Sequence, residues 1–109
     1  MMTQVRDVFD RAKLQIERLN TIWSLQGDPF CPQIEAVLRG AVWNDRDPSN
    51  PIGQLHMASK LLRDRYILWN DSGMMNRSIM EWNLTLAHVQ DMLRDLHPYM
   101  NRQLQRLHA

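Results

Sequence analysis

Apolar residues recur near the start of the chain at Val5, Phe9, Ala12, Ile16, Leu19 and Trp23, at intervals alternating between four and three. That spacing returns to one side of a helix, so it predicts an amphipathic helix over about residues 3–26, capped by Thr3. The polar side offers acid-first pairs at Asp7–Arg11 and Asp10–Lys13, the favourable orientation in a helix. Gly27 supplies a left-handed stop, and Asp28-Pro29 prevents continuation.

A second helix is predicted over 32–43, with Ile34, Val37, Leu38, Ala41 and Val42 as its apolar face. Gly40 inside it would cost about 0.5–1 kcal/mol relative to Ala, which suggests either a close helix approach or simple tolerance. Residues 44–51, NDRDPSNP, read as a linker rich in turn formers. Asn50 can cap a third helix over 51–70, with Pro51 at its first position and Leu55, Ala58, Leu61, Leu62, Leu68 and Trp69 apolar.

The fourth stripe is the most regular: Met75, Ile79, Trp82, Leu86, Val89, Leu93 and Leu96, with Met100 and Leu107 in phase beyond it. It predicts a helix over 74–96. Pro98 must interrupt the backbone ladder, so a short last helix is expected over 98–108. Met80, Leu84 and Ala87 lie opposite this stripe. A helix apolar on two sides is either central in a bundle, the expectation adopted, or covered by a partner. No strand-like alternation competes. The expected fold is all-α, a compact four-helix bundle with a short extra C-terminal helix after Pro98, one domain over 1–109.

Composition supports a folded chain: 44% of the 109 residues are hydrophobic and 23% charged. A net charge of +1 argues against a general polyanion binder. Eleven of the 13 cations are Arg, which suits planar, bidentate contacts but also arises from codon bias. No apolar run approaches the ~20 residues of a membrane span. No secretory leader is expected, and the single cysteine, Cys31, is compatible with a reducing, intracellular setting.

Chemistry is sparse. His56, His88, His97 and His108 include no pair at i,i+3 or i,i+4, so no helical two-His metal clamp is expected, and one cysteine cannot make a zinc site alone. Cys31 has no neighbouring motif that would make it a nucleophile. Gly27, Gly40, Gly53 and Gly73 are isolated, so no phosphate-cradling loop is read. The expectation is no catalytic residue, no cofactor, no metal and no small-molecule substrate.

Two features point to binding. Lys60, Arg63 and Arg65, with Arg77 beyond the turn, are the densest basic cluster, although Asp64 and Asp71 interrupt it. A helical wheel places Arg65 within the apolar stripe between Ala58, Leu62 and Trp69. It either snorkels along the core edge or is held for a partner's carboxylate or phosphate. The chain also uses four Trp and eight Met, residues enriched with Arg at protein interfaces. Trp23, Trp69 and Trp82 fall on core stripes, whereas Trp43 ends the second helix beside the linker.

The functional expectation is a non-enzymatic protein–protein interaction module, or a small accessory subunit of a larger assembly, that binds a protein partner or itself. Its candidate face is Trp43, Met80 and Leu84 flanked by Arg77. The alternative is a helical RNA- or DNA-binding module using Lys60, Arg63, Arg65 and Arg77 on phosphates.

Overall fold

The first stripe folds as its spacing predicts: α1 spans Met2–Leu25, and Val5, Phe9, Ala12, Ile16, Leu19 and Trp23 are all buried. A computed structural model describes the backbone of residues 2–73 and 77–100 and the side chains of 4–73 and 79–100. Three further helices follow among these residues, α2 over Cys31–Gly40, α3 over Ser49–Asp71 and α4 over Arg77–Leu96. A 3-10 turn at His97–Tyr99 takes up the interruption at Pro98, and Met100 is extended behind it. The expected last helix over 98–108 falls mostly on residues outside those described, as do Met75 and Leu107.

Chain reversal after α1 is local chemistry. Gly27 takes φ +82°, the Asp28 amide donates to the Trp23 carbonyl and the Gly27 amide to the Ser24 carbonyl. This pair of bonds is a Schellman stop, and only a residue tolerant of positive φ closes it cheaply.

Two described element boundaries differ from the sequence expectation by more than one residue. α2 stops at Gly40, three residues early. Ala41 leaves the helix at φ −85°, ψ 69°, and the Lys13 ammonium of α1 donates to its carbonyl at 2.8 Å. Gly40 therefore ends the helix instead of weakening its interior, and a Cβ there would meet nothing within 4 Å, which rules out the close helix approach. Val42 lies beyond the helix and is exposed. α3 starts two residues early, at Ser49, with Pro48 in the cap position expected of Asn50. Ser49 is held by its hydroxyl donating to the Asp47 carboxylate at 2.6 Å.

Smaller corrections follow from packing. Leu68, expected on the buried stripe of α3, is exposed. On α1 the ion pair forms between Arg6 and Asp10 at 3.8 Å, while Arg11 donates to the backbone carbonyl of Asp7. Lys13 is occupied at α2 instead of with Asp10.

α1 packs against α2, α3 and α4, and α3 packs against α2 and α4. Trp82 meets Leu19 while Val5 and Leu96 line one crevice, so α1 and α4 run antiparallel. The end of α3 reaches the end of α1 through Trp69 and Trp23. The result is an up-down-up-down bundle whose core is filled by the four stripes.

Candidate functional site

The most organised polar cluster sits where the α1–α2 turn meets α3. The turn swings the Asp28 carboxylate into the bundle, where its side chain is fully buried. The Phe30 amide donates to one oxygen at 2.8 Å, and the Trp69 indole N–H donates to the other at 2.8 Å. Arg65 Nε reaches both oxygens, at 3.1 and 2.9 Å. The Arg65 guanidinium also lies over the Phe30 ring, 4.3 Å from its centroid. Burial by itself pushes the Asp28 carboxyl up, but the Phe30 amide, the Trp69 indole and the Arg65 guanidinium outweigh it, and the group rests below its usual range. Arg65, read from the sequence as a snorkelling side chain or a contact for a partner's anion, meets a carboxylate of its own chain.

An aromatic cluster backs this site. Trp23 lies 5.1 Å from Trp69 and 4.6 Å from Trp82, and Tyr66 lies 6.1 Å from Trp82. The Trp82 N–H donates to the Leu19 carbonyl at 2.9 Å. The Trp23 N–H is buried and finds no hydrogen-bond acceptor among the described residues.

The expected interface residues do not share one surface. Met80 and Leu84 project outward from α4 and are 58% and 70% exposed, so no other helix of the described chain covers them and α4 is not a central helix. Trp43 lies outside α2, half-buried at the other end of the bundle. Its ring packs on Phe9 at 5.2 Å and its N–H donates to Asp45 at 2.6 Å. Met80 begins α4 beside the Leu19 level of α1, and Phe9 to Leu19 is roughly 15 Å of helix. The Arg77 side chain lies outside those described.

A shallow groove of about 500 Å³ runs between α1 and α4, and neither Met80 nor Leu84 lines it. Its apolar floor is Leu19, Ile22 and Trp82, and Arg18 and Glu81 stand among its walls. Leu25, at the end of α1, is 81% exposed.

The basic cluster also divides. Lys60 and Arg63 are exposed and face a small notch toward α4, while Arg65 points the other way, to Asp28. A third concavity, about 600 Å³ between α1 and α2, is lined by Asn20 and Cys31 with Lys13, Glu17, Glu35 and Arg39 around it. Asn20 ties the two helices by donating to the Cys31 carbonyl at 3.1 Å. Burial raises the Cys31 thiol, the nearby Asp28 charge raises it further, and Arg65 opposes both. That environment suits a small packed side chain better than a thiolate nucleophile.

Sequence reasoning read Asp28 only as a helix stop and assigned Asn20 nothing. The available signal for Asp28 was an Arg placed inside an apolar stripe, which calls for a carboxylate somewhere in space. No protein-family model matches the chain, and it has no match among curated proteins or among solved structures. Among the described residues no helix is long and apolar enough to cross a membrane.

Proposed function

We propose that the chain is a non-catalytic helical binding module, taking a protein partner on the outer side of α4 where it adjoins the end of α1. The observation that carries this reading is the exposure of Met80 and Leu84, one helical turn apart and 58% and 70% open, opposite the buried Ile79, Trp82 and Leu86. Exposed apolar side chains are ordinary when scattered singly, but here two stand one turn apart on the same side of α4. An amphipathic helix of a partner suits such a surface, its apolar anchors at helical spacing against Met80 and Leu84. Trp43 is not part of this face. An intracellular setting, where Cys31 stays reduced, belongs to the same reading.

The nucleic-acid alternative is weaker, because Arg65 is engaged by Asp28 and leaves Lys60 and Arg63 without the third cation of their row on α3. The test is a Met80→Ala/Leu84→Ala double variant of the full chain. Self-association by analytical ultracentrifugation and recovery of co-purified partners should both be compared with the unaltered chain. The module reading expects association to weaken while the fold persists. Unchanged association would remove the outer side of α4 from consideration.

A further inference from the structure

The α3–α4 notch has a character unlike the other grooves of the bundle. It is lined by His56, Ser59, Lys60, Arg63, Gln90 and Leu93. Its walls contain two cations, a hydroxyl and a carboxamide, all able to donate hydrogen bonds, beside the His56 ring, and no carboxylate. Each of the other three described concavities has a carboxylate in its wall: Glu17 and Glu35, Glu81, or Asp95.

Both cations are available. Lys60 and Arg63 are exposed, and neither forms an ion pair or hydrogen bond within the described residues. They stand at i,i+3 on α3, neighbouring positions of one face, and both line the notch with Ser59, itself 3% exposed. α4 supplies Gln90 from the facing side.

We propose that this notch binds the phosphoryl group of a phosphomonoester. Its volume of about 190 Å³ is below the ~300–1,000 Å³ of sites that enclose a whole small molecule, so it accepts one group and leaves the rest of the ligand outside. A phosphoryl dianion presents three acceptor oxygens and no donor, the complement of this wall. The guanidinium offers a planar fork and the ammonium a point charge. A polynucleotide backbone fits less well. It needs a row of cations, yet the exposed Asp64 follows Arg63 and the next cation, Arg65, is turned to Asp28. This inference is independent of the protein-binding face on α4.

The test is NMR titration of the full chain with inorganic phosphate, O-phosphoserine, a phosphoserine peptide and its unphosphorylated form, against chloride at matched ionic strength. Saturable amide shifts at 56–63 and 90–93, absent with chloride and with the unphosphorylated peptide, are expected. Binding should weaken roughly tenfold for each cation removed in Lys60→Ala and Arg63→Ala. Both residues are exposed, so an unchanged melting temperature confirms that the variants fold. Tighter binding of the phosphopeptide than of free phosphoserine identifies a modified protein as the source, and equal binding identifies a small phosphomonoester. Shifts that never saturate, or that survive in the double variant, overturn the proposal. So does a single-stranded RNA oligonucleotide that binds there with a log K against log salt slope steeper than about −1.5, more than two cations can supply.

Discussion

Arg65 and Asp28, 37 positions apart in sequence, form a forked contact whose shorter arm is 2.9 Å, with the Asp28 side chain fully buried and the Arg65 side chain 15% exposed. Neither partner is replaceable in isolation. Removing Arg65 leaves a buried carboxylate with only the Phe30 and Trp69 donors, and breaking a buried pair from one side costs about 3–5 kcal/mol. Arg65→Ala should therefore show a loss of that order in chemical denaturation. Lys60→Ala, exposed on the same helix, should stay within about 0.5 kcal/mol.

The same pair sets an acid limit. The folded-state value of Asp28 is lowered, so its contribution is complete above the unfolded carboxyl value of about 4 and is lost as pH falls through the folded value. The melting temperature should drop between pH 6 and pH 3, and Asp28→Asn, less stable at pH 6, should show a smaller drop. An equal pH dependence in both proteins would mean that other carboxylates govern acid unfolding.

Trp82 is a core anchor. It is 2% exposed, bonded to the Leu19 carbonyl and flanked by Trp23 and Tyr66. Trp82→Ala should cost roughly 3–5 kcal/mol through lost transfer and a residual cavity. Trp82→Phe should cost less, since it keeps most of the ring contacts and loses the hydrogen bond. Urea titrations of the two variants give both values.

Met80→Ala and Leu84→Ala should each change stability by no more than about 0.5 kcal/mol, because both side chains stand largely in solvent. A loss of about 2 kcal/mol or more in thermal or urea unfolding would place them in a packed environment and contradict their exposure.

Cys31 is 5% exposed and its thiol is raised by burial. Reaction with a soluble disulfide reagent near neutral pH should be slow in the folded chain and fast in denaturant. Labelling at a rate equal to that of free cysteine would mean that α2 opens from α1 readily.

The sequence alone carried the helices and their buried faces. In α1 each residue of the stripe from Val5 to Trp23 is buried, and in α4 so is each from Ile79 to Leu96. Helical periodicity is a local property: a spacing of three and four puts side chains on one face whatever lies opposite. Gly27 was equally legible, because a Schellman stop needs only neighbouring residues and a tolerance of positive φ. The stripe marks the apolar face, but it names no partner for it.

Those partners came from tertiary structure. α2 ends at Gly40 where Lys13, 28 positions earlier in the chain than Ala41, meets the carbonyl that leaves the helix. Arg65 lies inside an apolar stripe because Asp28 waits there, delivered by a turn whose direction no residue of α3 encodes. Met80 and Leu84 remain in solvent because α1 and α3 occupy the other sides of α4, and Trp43 is carried to Phe9 at the far end. Spacing fixes positions around one helix axis. Contacts between helices depend on loop direction and on which grooves the neighbouring side chains fill, so pairings 28 and 37 positions apart exist only once the bundle has closed.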